Sequence, residues 1–102
     1  MKLLIITSLK EDLPQVFPLL KQAGITVFSV TSTTGMAPAD GYNLLDDWFG
    51  SRNGEFNSAF LFSFTDEASA TNAVRLADTF NKSHKKQFPL RAFVLPVEHT
   101  NQ

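Results

Sequence analysis

Ser58-Ala59-Phe60-Leu61-Phe62-Ser63-Phe64-Thr65 alternates large and small side chains with a period of two, the mark of a β-strand with two unlike faces. Three phenylalanines fall on one face, and Ala59, Leu61 and Ser63 on the other. Core is the ordinary place for three rings in a row. The expectation is therefore that Phe60, Phe62 and Phe64 face inward, toward helices, with Ala59 and Leu61 outward.

Downstream of this strand, Asp66 stands where a helix N-cap is needed. The helix that follows has a face of Ala70, Ala73, Val74, Ala77 and Phe80, small enough for close approach to a sheet. It ends in the positive run Lys82-Ser83-His84-Lys85-Lys86, favourable at a helix C-terminus. Leu90–Val97 reads as a last strand, and Pro96, which cannot donate to a ladder, puts it at a sheet edge.

Upstream lies a connection of unusual length, 33–57, punctuated by Gly35, Pro38, Gly41, Gly50 and Gly54. Connections in compact domains run to roughly 4–6 residues, and much longer ones tend to be functional or disordered. This one holds the only tyrosine, Tyr42, the only tryptophan, Trp48, and the acidic pair Asp46-Asp47. A short amphipathic turn over 42–49 is expected inside it. Exposed loop aromatics such as Trp48 and Phe49 are typical anchors for a partner protein. The bland alternative is that they tuck onto the domain and fix the loop.

Before the loop, the β-branched Ile25–Ser32 predicts a second strand. Ahead of that, Asp12-Leu13-Pro14-Gln15 reads as a capping box, and Leu13, Val16, Phe17 and Leu20 make one helical stripe, stopped by Gly24. Pro18 inside that stripe predicts a bent or late-starting helix. Leu3-Leu4-Ile5-Ile6 opens the chain as a strand apolar on both faces, hence central.

The order strand, helix, strand, strand, helix, strand gives an α+β fold. With right-handed crossovers it is a ferredoxin-like βαββαβ sandwich: a four-stranded antiparallel sheet with both helices on one face. The 102 residues form one domain, 1–102, with the insertion at about 33–57. Helices cover only one face of such a sheet, yet the first strand is apolar on both. A second apolar face predicts an oligomer built through it.

Composition narrows the function. A formal net charge of −1 argues against strong nonspecific attraction to nucleic acid or anionic membrane. The absence of cysteine excludes disulfides, thiol catalysis and thiolate metal sites. No apolar run has a membrane span's length, and the first residues lack a signal peptide's long apolar region, so a cytoplasmic location is expected. There is no Ser–His–Asp pattern, phosphate-binding glycine loop or glutamate pair at helical spacing, so no enzyme is expected.

Spread over nearly the whole chain, several segments resemble the nitrogen regulatory P-II family and its PII-like relatives. They are Met1-Lys2-Leu3, Gly24-Ile25-Thr26-Val27, Thr34-Gly35 at the mouth of the long loop, and Phe93-Val94-Leu95-Pro96-Val97-Glu98. The resemblance implies a trimeric signalling protein packed through the sheet face opposite the helices. It also implies a T-loop between strands two and three that docks on transporters or enzymes. Ligand sites would lie in clefts between subunits, which places Thr34, Gly35 and Met36 at a ligand, and Lys85, Lys86 and Arg91 join them as candidates by charge alone. In the family the ligand is an adenine nucleotide. Here Lys82–Phe88, the region before the last strand, has no glycine, so the family's phosphate-cradling loop is missing and only the cations offer charge to an anion. The partner-binding loop residues would be Tyr42, Asp46, Asp47, Trp48 and Phe49.

Two relatives by topology give alternative readings. Leu13–Val30 resembles an ACT domain, a small-molecule sensor. Phe60–Glu67 resembles an RNA recognition motif, where aromatics on the open sheet face stack on bases. Aligning Phe64 with that motif's last aromatic puts Ala59 and Leu61 at the stacking positions, and with no basic surface no nucleic acid is expected. His84 and His99 are the only histidines and, with acidic neighbours, the only metal candidates. They lie 15 residues apart without ligand spacing, so surface histidines and no metal are expected.

Overall fold

A computed structural model describes residues 1–37, 54–84 and 88–101, with side chains left out at 35–37 and 54–56. The chain runs β1 (Lys2–Leu9), a single 3-10 turn (Lys10–Asp12), α1 (Leu13–Gln22), β2 (Ser29–Ala37), β3 (Gly54–Thr65), α2 (Glu67–Ser83) and β4 (Arg91–Pro96). The four strands form one sheet in the order β2-β3-β1-β4, and every pairing is antiparallel. With the two helices of the described residues this is the expected α+β, ferredoxin-like arrangement, with β1 central and β4, carrying Pro96, at an edge.

Local chemistry sets the helix ends. Asp66 is extended and its carboxylate accepts the Ser69 backbone N–H at 2.7 Å and the Ser69 hydroxyl at 3.2 Å, a complete N-cap for α2. At the end of α1, Gly24 takes φ 93°, Gly24 N–H bonds Lys21 O, and Ile25 N–H bonds Leu20 O at 2.9 Å. That pair of bonds is a Schellman motif, and buried Ile25 and Leu20 supply its hydrophobic contact. A Cβ at Gly24 would also come within 3.2 Å of the Ser69 hydroxyl, so both backbone and space call for glycine.

The start of α1 departs from the expected capping box. The 3-10 turn leads straight into the helix, so Asp12 already has helical dihedrals and its side chain makes no cap bond. Instead the Asp12 side chain is buried. The buried stripe is Val16, Leu19, Leu20 and Ala23 rather than one containing Phe17, which lies half-exposed against Phe28 with ring centroids 5.5 Å apart. Pro14 sits in the first turn, where its missing N–H costs nothing, and Pro18 is on the exposed side of a helix that continues to Gln22.

Strand boundaries also move. β2 begins at Ser29, not Ile25, because the Schellman turn buries Ile25 and the Val27 carbonyl is taken by the Ser63 hydroxyl at 2.7 Å instead of by the ladder. At its other end β2 runs on to Ala37, and β3 starts at Gly54 rather than Ser58. The connection is thus shorter than 33–57. β1 stops at Leu9, opposite Ser58, so Thr34–Ala37 and Gly54–Asn57 form a two-stranded arm beyond the rest of the sheet. The Ser58 and Thr33 hydroxyls bond each other at the base of that arm. β4 begins at Arg91 because Leu90 is held elsewhere. Its backbone exchanges two 2.9 Å bonds with the Asn81 side-chain amide, which ties the end of α2 to the start of β4.

The core lies between helices and sheet and reverses the expected facing of β3. Ala59 and Leu61 are 1% exposed and pack with Leu4, Ile6, Val16, Leu20, Ala73 and Ala77. Phe60, Phe62 and Phe64 are not part of that cluster and stand on the opposite face, which neither described helix covers. The reason is fit. A helix face of Ala70, Ala73 and Ala77 approaches the sheet closely, and the small Ala59 and Ser63 leave room for it where phenylalanines would not.

Candidate functional site

Among the described residues, the sheet face away from both helices is the dominant apolar surface. Strand register arranges it in rows. Leu95, Leu3 and Phe64 form one, Phe93, Ile5 and Phe62 the next, and Arg91, Thr7 and Phe60 the third. Rings along β3 touch in sequence, Phe60 to Phe62 at 6.1 Å and Phe62 to Phe64 at 6.3 Å, tilted and edge-on. Phe64 is 58% exposed and Leu95 42%. The face continues onto β2 as hydroxyls, with Ser29 beside Phe62 and Thr31 beside Phe60. In these rows the one charged side chain is Arg91. Sequence reasoning expected an apolar second face but assigned it the wrong β3 residues. The signal that finds the right ones is size: small strand residues belong under an alanine-faced helix.

The expected ligand residues divide. Thr34, Gly35 and Met36 are not in a loop mouth but in the β2 arm, paired with Asn57, Phe56 and Glu55. That is a correction, and its cause is the continued β2–β3 ladder. Arg91 is exposed at the first residue of β4, opposite Thr7. β2 and β4 are the two opposite edges of the sheet. At about 4.8 Å per strand spacing they stand roughly 14 Å apart, too far for one small anion to touch both. Lys85 and Lys86, and the loop residues Tyr42, Asp46, Asp47, Trp48 and Phe49, lie outside the described residues.

His84 caps α2. Its backbone N–H bonds Phe80 O, its Nδ1 lies 3.1 Å from the same oxygen, and its ring stacks on Phe80 with centroids 4.2 Å apart. His99 is exposed after β4. No group of three or more metal-ligating side chains gathers among the described residues. No helix among them is long and apolar enough to cross a membrane.

No family model matches the chain, and no curated protein matches it. Among solved structures it is similar to a DUF3240 family protein from Shewanella baltica OS155. The TM-score is 0.66 at 14% identity, over 99% of this chain and 93% of the other. At that identity the likeness concerns the fold alone. The fold is also widely shared, with 154 solved chains matching, so it selects no activity.

Proposed function

We infer that this chain is the subunit of a PII-like trimeric sensor-regulator, cytoplasmic and without catalytic activity. It would bind a small anionic ligand in clefts between subunits. The connection after the β2 arm would carry that signal to a partner protein, such as a membrane transporter. The observation that supports this most is the apolar face of Leu3, Ile5, Phe60, Phe62, Phe64 and Phe93, which neither described helix covers. Burying one such side chain is worth about 1.5–3 kcal/mol, so a face of this size favours association strongly.

The division of the ligand residues supports the same reading. Arg91 and the Thr34–Met36 segment, on opposite edges, make one site only when a second subunit brings its edge alongside. The cations and hydroxyls suit an anion. A nucleotide would have to be held without the phosphate-cradling glycine loop. Native mass spectrometry of the purified protein tests the reading. A mass of three chains, with any retained adduct, supports it, and a monomer contradicts it.

A second reading gains from the position of the phenylalanines. The register that kept aromatics off the open face is wrong, and Phe60, Phe62 and Phe64 stand where an RNA-binding sheet stacks bases. Against it, Leu3, Ile5 and Leu95 share the face and do not stack, and Arg91 alone gives little attraction to phosphates. Fluorescence anisotropy with labelled single-stranded RNA separates the two. Salt-sensitive binding by a monomer favours the second reading.

A further inference from the structure

Between α1 and α2 the described residues leave a cleft of about 350 Å³, on the helix side of the molecule. Each helix gives it one stripe at helical spacing, from Gln15 to Gln22 on α1 and from Leu76 to Ser83 on α2. Buried Leu19 and half-buried Leu76 and Phe80 make an apolar floor. Exposed Gln15, Gln22, Thr79 and His84 make a polar rim. No Asp, Glu, Lys or Arg is among the described residues that line it. Small-molecule sites have this make-up: a few hundred Å³, mostly apolar, with a small number of placed polar groups.

The α2 side of the rim has a fixed hydrogen-bonding sense. The Thr79 hydroxyl donates to Arg75 O at 3.1 Å, so its proton is committed to the helix backbone and only lone pairs remain. His84 Nδ1 lies 3.1 Å from Phe80 O, and a carbonyl can only accept. Neutral His84 therefore carries its proton on Nδ1, which leaves Nε2 as an acceptor. Stacking on Phe80, with ring centroids 4.2 Å apart, holds the imidazole in place. Thr79 and His84 thus offer two acceptors and no donor. A molecule matched to them carries an N–H or O–H on an apolar body. With no fixed charge lining the cleft, it is itself uncharged.

We propose that this cleft binds a small uncharged molecule with an apolar body, one N–H or O–H of which donates to His84 Nε2. All the residues it uses belong to one chain and lie on the helix side of the sheet. The site therefore stands whether or not copies associate through the phenylalanine face. It is also distinct in chemistry and in residues from the anion site that would use Arg91 and Thr34–Met36.

Indole is the probe, because it is apolar, uncharged and carries a single N–H. N-methylindole has the same body without the donor. Titration of the isotope-labelled chain, followed by amide NMR at mildly alkaline pH, should give saturable shifts at Leu19, Leu76, Phe80 and His84 at low millimolar indole. N-methylindole should bind roughly three- to tenfold more weakly, the worth of one hydrogen bond. His84→Phe keeps a ring over Phe80 and removes the acceptor. It should weaken indole by the same factor and leave N-methylindole unchanged. Thr79→Val removes the other acceptor at equal size and should change indole binding little. Weakening by Thr79→Val but not by His84→Phe overturns the assignment to Nε2. Equal binding of the two probes, shifts confined to Phe60, Phe62 and Phe64, or no saturable shift overturns the proposal.

Discussion

The two faces of this sheet use opposite means to become apolar. Toward the helices the side chains are small or aliphatic: Ala59, Leu61, Leu4 and Ile6 meet Ala73 and Ala77 and are almost wholly buried. On the other side Leu3, Ile5, Phe60, Phe62, Phe64, Phe93 and Leu95 are half-buried or exposed, while the small Thr7 and Ser58 at one end of that face are buried. The covered face gains its stability from close packing within one chain. The open face holds the larger apolar side chains and gains little from them until something covers it. Ring size alone is thus a poor guide to which face is core. What the opposing helix can approach decides it.

Substitutions on the two faces should separate sharply. The largest effect on chain stability is expected from Leu61→Ala, which deletes a fully buried side chain from the covered face. About 2–5 kcal/mol should be lost in urea unfolding. Ala73→Leu overfills the same interface and should cost about 1–3 kcal/mol. A loss below about 1 kcal/mol for Leu61→Ala would mean that this face is not the core. On the open face, Phe64→Ser should leave the far-ultraviolet circular dichroism spectrum unchanged and weaken assembly. Unfolding of the chain itself by Phe64→Ser would erase the distinction between the faces.

The smallest effect concerns neither face. The Ser69 backbone N–H donated to Asp66 holds that carboxyl below its ordinary 3.8. A group with a depressed folded pKa contributes stability above its unfolded value and loses it as pH falls through the folded one. The contribution is therefore intact above about pH 4 and fades below it. Asp66→Asn keeps the cap without the charge. Its melting temperature should fall less steeply than wild type over roughly pH 4 to 2, with little difference at neutral pH.

Much of the architecture is legible in the sequence, because local chemistry writes it. The Asp66 cap, the Gly24 stop, the edge position of Pro96 and the alternation in Ser58–Thr65 each follow from a residue and its neighbours. The facing of β3 does not, because it depends on an alanine face 11–18 residues further on. The buried Asp12 is also hidden, since Asp12-Leu13-Pro14-Gln15 is a sound capping sequence until a 3-10 turn precedes it. The candidate ligand residues were legible by type and by resemblance but not by place. Only the sheet order reveals that Arg91 and Thr34 stand at opposite edges.

Sedimentation equilibrium of the wild-type protein beside Phe62→Asp tests the central claim most directly, that the open face is a subunit interface. Phe62 lies in the middle row of that face, and an aspartate there could not be buried unpaired. The expected result is three chains by mass for wild type and a folded single chain for the variant. A wild-type monomer, or a Phe62→Asp variant that keeps its full assembled mass, would contradict it.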